Sequence, residues 1–294
     1  MSLPVTYVQV IEVARITPRT ARITFRADEL DASVGTSPDQ QVKLCFPRPG
    51  QAAPVLPGPS EDATGWYRAY LAVPEPQRPW MRSFTVRQRR PGTEEVEIDF
   101  VLHGDTGPAS AWAGRARPGD RLGMVGPSAL YASPLSITSA AEAADWVLMA
   151  GDESALPAIG TLLAALPEGT RTVVFAEVAD RAEEQPLPGP VGATVRWLHR
   201  DGAAPGRRLV EAVAAADLPP GAPFAWLAGE ASAVRTLRRH LVEERGLPKA
   251  SIEFSGYWRH RCTQDDAPTA EDLADAREKL AQVQVQVQVR AEAR

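Results

Sequence analysis

Apolar and polar residues alternate in short runs through the first half of the chain, the period-two pattern of half-buried strands. Val5 to Val13 and Thr20 to Arg26 are β-branched runs split by Thr17-Pro18, and Gln41 to Phe46 is a third. Pro47-Arg48-Pro49-Gly50 ends it, and the Pro/Gly-rich stretch to Gly65 reads as a loop. Arg82 to Gln88, Glu95 to His103 and a strand near Arg121 to Val125 bring the count to about six, enough to close a small antiparallel barrel; Ala109 to Arg115 is a short helix. Past Pro127 the pattern changes to continuous apolar strands separated by helical periodicity. Strands are predicted over 145–150, 172–178, 194–198, 224–228 and 252–257, with helices running on to Leu166 and over 208–216 and 231–245. That alternation predicts a doubly wound parallel sheet.

The expected organisation is therefore a β-barrel domain over 1–132, a linker over 133–144, an α/β domain over 145–261 and a helical or disordered tail over 262–294. In the tail, 269–282 is a charged helix candidate, and the Gln-Val repeat over 282–289 alternates as a strand would, or frays.

Composition narrows the function classes. With 294 residues and 44% hydrophobic content the chain can bury two cores. A net charge of −5 gives no basic field for nucleic acid or an anionic membrane, so an anionic ligand must meet a local cluster. Cys45 and Cys262 form neither a disulfide framework nor a metal-ligand spacing. No apolar run approaches the ~18 residues needed to span a bilayer, and Met1 to Thr6 lacks a secretory pattern, so a cytoplasmic monomer without stable membrane association is expected.

Two neighbouring stretches carry candidate chemistry. Arg82-Ser83-Phe84-Thr85 sets a cation, a ring face and a hydroxyl along one strand, a combination suited to the diphosphate, the isoalloxazine and the N5 edge of a flavin. His103-Gly104-Asp105 leads into Gly107-Pro108-Ala109-Ser110, where a proline opens a helix whose backbone N–H groups suit an anion, and Trp112 follows.

Together with Arg117-Pro-Gly-Asp-x-Leu-Gly-Met-Val-Gly-Pro127, Ala150-Gly-Asp-Glu-Ser-Ala-Leu-Pro157, Ala228-Gly-Glu230 and Gly256-Tyr-Trp-Arg259, these motifs in this order resemble the siderophore-interacting proteins, the FAD-dependent ferric-siderophore reductases. The resemblance spans roughly residues 5 to 260. It implies a ferredoxin-NADP reductase-like fold, an antiparallel FAD-binding barrel followed by an NAD(P)H-binding-like domain. It also implies that Arg82 holds the FAD diphosphate, that Phe84 packs on the flavin and Thr85 reaches its N5 side, and that His103 contacts the cofactor. The turn Asp152-Glu153-Ser154-Ala155 follows a strand where an open α/β sheet binds ligands, yet lacks the Gly-x-Gly-x-x-Gly fingerprint. Its acids either cap a helix or, as the resemblance implies, lie against FAD; Gly229-Glu230 would stand by a nicotinamide entry site. Tyr257, Trp258 and Arg259 would form a lid on the flavin, although His260-Arg261 stands where the family usually has a glycine.

Because ferric siderophores often carry negative charge, Lys43, Arg48, Arg259 and Arg261 are the candidate substrate cations. The expected function is FAD-dependent reduction of ferric siderophores to release Fe(II) for iron acquisition, with no protein metal ligands. NAD(P)H or reduced ferredoxin is the donor, and ferredoxin a candidate partner. The alternatives are a general flavin reductase or electron-transfer module on the same fold, and a binding module that holds siderophore or flavin without turnover.

Overall fold

The structure is a computed structural model that describes residues 3–58, 60, 62–105, 107–128, 136–262 and 266–278. The first unit is a seven-stranded antiparallel sheet built from β1 (Val5–Thr17), β2 (Thr20–Ala27), β3 (Gln41–Phe46), β4 (Trp80–Thr85), β5 (Gln88–Arg89), β6 (Glu95–Val101) and β7 (Arg121–Val125). Their order across the sheet is β4-β3-β7-β1-β2-β6-β5, which leaves β4 at one edge. Alternation sorts the faces as the sequence predicts. Ile23, Phe25, Leu44, Phe46, Val96, Ile98, Phe100, Leu122 and Met124 close one core, while Glu95 and Asp99 on the opposite face of β6 pair with Arg26 and Arg22.

Two helices lie where loop or linker is expected. α1 (Ala63–Ala72) sits inside the proline-rich excursion; Asp62 caps it by accepting from the Gly65 N–H at 2.6 Å. Its Trp66 and Tyr70, four residues apart, cover Cys45 and Val125 on the outer face of the sheet, a burial that an isolated ten-residue helix could not forgo. α2 (Pro108–Ala113) follows β6, as read from the sequence. α3 (Ile137–Glu142) falls in the expected linker, and its Ile137 and Ala141 belong to the core of the second unit.

That unit is a five-stranded parallel sheet ordered β10-β9-β8-β11-β12, from β8 (Trp146–Asp152), β9 (Thr172–Val178), β10 (Ala193–His199), β11 (Pro223–Glu230) and β12 (Ile252–Trp258). The chain steps outward from β8 to β10, then returns to β11 on the other side of β8, so β8 and β11 flank the switch point. α4 (Leu156–Ala165), α5 (Arg207–Ala215) and α6 (Ala231–Glu243) cover the two faces. A last helix, α7, over 270–278, is pinned by Arg235 to Asp272 and Asp275 and by Arg238 to Glu278. The Gln-Val repeat lies outside the described residues. Among the described residues no helix is long and apolar enough to cross a membrane.

The units meet through named contacts. Glu183, buried after β9, accepts from Thr17 Oγ1 at 2.5 Å and from the Arg19 N–H at 2.9 Å in the β1–β2 hairpin. Arg87 beyond β4 lies so close to Gly160 in α4 that a Cβ there would meet the guanidinium at 3.2 Å.

Candidate flavin and electron-transfer site

Edge position is what makes β4 a candidate cradle. Its inner edge pairs with β3, while its outer edge has no strand partner among the described residues. Arg82 is buried there, one Nη donating to the Met81 carbonyl at 2.9 Å. Phe84 packs with its ring 4.5 Å from Phe100 and 6.1 Å from Phe46, so it is backed by the barrel core. Ser83 faces the other way and accepts from Lys43 Nζ at 2.5 Å.

Thr85, buried at the end of β4, lies within hydrogen-bonding reach of the Tyr257 hydroxyl, as does Gln41. Tyr257 in turn donates to Asp39 Oδ1 at 2.8 Å. Burial, and then the Asp39 charge, push the tyrosine well above its ordinary range. The last strand of the α/β unit is thus brought onto the strand that carries Arg82 and Thr85.

At the other end of β4 the chain opens a groove of about 720 Å³. Arg48, Trp80, Gly107, Pro108, Trp112, Arg115, Arg117 and Arg121 line it, and the Arg48 guanidinium lies 4.4 Å over the Trp80 ring. Ser110 shapes the approach: its hydroxyl accepts from the His103 N–H at 2.9 Å and donates to the Gly104 carbonyl at 2.8 Å, folding the His-Gly turn against α2. Its role is to build the turn. His103 is exposed on that turn, and Ala109 packs on the barrel core. Trp112 lies mostly within that core, stacked 6.2 Å from Phe25 at 16°.

The donor set fits FAD. An open strand edge carrying a buried arginine runs from a hydroxyl-bearing interdomain contact to a groove with an aromatic face and four guanidinium groups, where a diphosphate and an adenine can be held.

The second unit's acids are mostly committed to its own architecture. Asp152, fully buried, accepts from Ser154 N and Oγ, from the Glu230 N–H at 2.8 Å and from Trp258 Nε1 at 2.8 Å. It ties the ends of β8, β11 and β12 together. Gly229, at φ 137°, is the only residue type that fits beside it, since a Cβ would meet Asp152 Oδ2 at 2.5 Å. Burial and the neighbouring Glu153 charge push Asp152 up to about 6, against its hydrogen bonds with Ser154 and Trp258. Ala155 is buried at the start of α4, and Glu230 caps α6 through Ala233 N at 3.0 Å while also accepting from the His260 N–H.

The four candidate substrate cations are not gathered into one cluster. Lys43 is part-buried beside Ser83, and burial lowers its pKa. Arg48 lies past the far end of β3, in the groove. Arg259 donates to the Asp272 carboxylate at 3.0 Å and to the carbonyls of Asp266 and Ala267, and Arg261 is exposed. The residue that sequence reasoning passed over is Asp39. It adopts the left-handed φ of 54°, and its carboxylate accepts from both Tyr257 and Trp226 Nε1 while its N–H donates to Thr161 Oγ1. Ser37-Pro38-Asp39 signals only a turn; nothing local says what the turn reaches.

Comparison with known proteins agrees with this geometry. Residues 9–131 match the family described as siderophore-interacting FAD-binding domain, and residues 144–261 the one described as siderophore-interacting protein. Ferric vibriobactin reductase ViuB of Vibrio cholerae is 33% identical over 243 residues, 81% of this chain and 83% of that one. The NADPH-dependent ferric-chelate reductase of Escherichia coli is 31% identical over 252 residues, 85% of this chain and 91% of its own length. The crystal structure of a siderophore utilization protein from T. fusca aligns with a TM-score of 0.73 at 35% identity, covering 90% of this chain and 96% of that one. A ferredoxin reductase of carbazole 1,9a-dioxygenase, at 15% identity and a TM-score of 0.58 over 87% of this chain and 70% of that one, shares the fold alone. Barrel, parallel sheet and both family matches converge, and the chain belongs to the siderophore-interacting protein family, with an FAD-binding barrel and a ferredoxin reductase-like fold.

Proposed function

We propose that this protein is an FAD-dependent oxidoreductase that reduces ferric siderophores in the cytoplasm, acting as a monomer and drawing electrons from a nicotinamide nucleotide or reduced ferredoxin. The observation that carries the reading is the docking of Tyr257 on the barrel, through Asp39 and beside Thr85, at one end of an open strand edge whose other end enters the arginine-lined groove. Bound there, FAD would accept two electrons, as a hydride from a nicotinamide or one at a time from ferredoxin, and pass them on singly to two ferric ions. Arg82 neutralises the diphosphate, Phe84 supplies an apolar wall backed by Phe100, and Thr85 offers a hydroxyl beside Tyr257. Trp258, held by Asp152, closes the α/β side and excludes water. The ferric chelate is substrate and needs no protein ligand, since reduction weakens the chelator's hold and lets Fe(II) leave. Lys43 and Arg259 supply the positive field for an anionic chelate on a chain of net charge −5.

The test is anaerobic reduction of the purified yellow protein followed by a ferric siderophore with a ferrous trap present. Reoxidation with two Fe(II) trapped per reduced flavin is the expected result. Free flavin released in its reduced form before iron reacts would make the protein a general flavin reductase, and chelate binding without Fe(II) would make it a carrier.

A further inference from the structure

The α/β unit has a second cavity, of about 340 Å³, where a doubly wound sheet receives the adenosine end of a dinucleotide. Ala179 and Asp180, just past β9, and Arg200 to Ala203, just past β10, line it, with Arg19 of the β1–β2 hairpin opposite. This is the carboxyl end of the strand next to β8, on the side away from the switch point.

Two features of such a cavity separate the two nicotinamide donors. A carboxylate after the second strand suits the free ribose diol, and an available arginine suits a 2′-phosphate. Arg200 is the cation on the cavity wall from this unit, and it is committed. Both Nη atoms donate to the Glu153 carboxylate, and Nη1 also lies 3.3 Å from Glu177 Oε1. Glu177 is fully buried and is fixed from behind by the N–H groups of Gly206 at 2.7 Å and Leu209 at 2.9 Å, so it cannot swing away. Asp180 is oriented by its own turn, one oxygen accepting from the Ala182 N–H at 2.9 Å, and Asp201 stands across the cavity. Arg181 is exposed and outside the lining. The lining thus presents two aspartates, Asp180 and Asp201, and two guanidinium groups, of which Arg200 is already held by Glu153 and Glu177, so little net positive field is left for a further dianion.

We infer that this cavity selects the unphosphorylated dinucleotide, NADH: Asp180 accepts from the adenosine ribose diol, and the Glu153–Arg200–Glu177 clamp withholds the α/β unit's own cation from a 2′-phosphate, leaving Arg19 of the hairpin to face Asp180 and Asp201. This rests on the nicotinamide arm of the proposed function. It sets the chain apart from its Escherichia coli relative, which is named for NADPH.

Binding tests it without turnover. Calorimetry on the FAD-loaded protein with NAD⁺, NADP⁺, 5′-AMP and 2′,5′-ADP should show NAD⁺ and 5′-AMP bound about tenfold or more tighter than their 2′-phosphorylated partners, as expected for an added dianion in an acidic cavity. Asp180→Ser should shrink that ratio by weakening NAD⁺ and admitting NADP⁺. Glu153→Gln, which loosens the clamp, should tighten 2′,5′-ADP while leaving 5′-AMP nearly unchanged. Equal or tighter binding of NADP⁺ by the unaltered protein overturns the inference, as does a ratio indifferent to both substitutions in variants that melt normally. Binding of neither dinucleotide, with dithionite-reduced protein still reducing a ferric chelate, overturns it too and leaves ferric reduction standing with a different donor.

Discussion

Tyr257 Oη donates to Asp39 Oδ1 at 2.8 Å, a hydrogen bond between the last strand of the parallel sheet and a loop of the barrel, 218 residues earlier in the chain. The same carboxylate accepts from Trp226 Nε1 at 3.2 Å, so one side chain fastens both strands of the sheet's returning half to the flavin-side unit. Asp39→Ala should cost about 1 to 3 kcal/mol, because it strands two buried donors and leaves a Cβ residue at positive φ without its tether. Asp39→Asn, which keeps an acceptor and tolerates φ 54°, should cost less than half of that. Thermal melts of the two variants check the order, and equal losses would mean that the backbone conformation alone matters.

Arg82→Ala should release cofactor and spare the fold. The guanidinium lies at the sheet edge, where it donates to the Met81 carbonyl, and removal of a charge-assisted diphosphate contact is worth roughly 1.5 to 3 kcal/mol. FAD affinity should fall about tenfold or more. Full flavin occupancy after desalting, with unchanged circular dichroism, would sink this assignment of Arg82.

Arg259 is paired with Asp272 of α7, so in the proposed chelate site that helix would set how much positive charge an incoming chelate meets. Asp272→Asn should lower KM for an anionic ferric siderophore several-fold and leave that of a neutral one within about twofold, and raised salt should erase the difference. Arg259→Ala should act in the opposite direction. Truncation after Thr269 should leave a folded yellow protein, since part-exposed ion pairs of the kind that hold α7 are each worth ~1 kcal/mol or less. A truncated chain that aggregates or loses flavin would show that α7 belongs to the core.

Asp152 gives a signature in pH. Its folded pKa, raised from 3.8 to about 6, means that the native state binds the proton more readily than the unfolded chain. The stabilisation is fully present below about pH 4 and is lost as pH rises through about 6. The effect is on the order of 1 to 3 kcal/mol across that window. Asp152→Asn should flatten this part of the stability-pH curve, as read from melts at pH 5 and 7.5. Identical slopes in variant and parent would show that the four hydrogen bonds hold the carboxylate near its ordinary value.

Much of this architecture was legible in the chain because its strands obey a simple period. Val-Glu-Ile-Asp-Phe in β6 alternates between core and arginine-paired face, and Val147 to Ala150 reads as buried on both sides. The motif residues Arg82 and Thr85 were legible for the same reason, standing on a strand with a definite facing. What could not be read was set by partners far away in sequence. α1 forms because Trp66 and Tyr70 have the outer face of β3 and β7 to cover, and Asp39 matters because Trp226 and Tyr257 come to it. Trp112 lines the groove as well as the core, and the ring it stacks on, Phe25 of β2, lies far from it in sequence.

The edge of β4, which has no strand partner among the described residues, has a consequence for the protein before it has a cofactor. A row of free backbone donors and acceptors is a template on which another chain can add a strand, and proteins ordinarily blunt such edges with charge, proline or a covering segment. In the proposed cofactor position the covering segment would be the prosthetic group itself, along Trp80 to Thr85. Flavin supply during synthesis therefore bears on solubility as well as on redox competence: starved cells should accumulate this chain as aggregate, and riboflavin in the medium should return it to the supernatant.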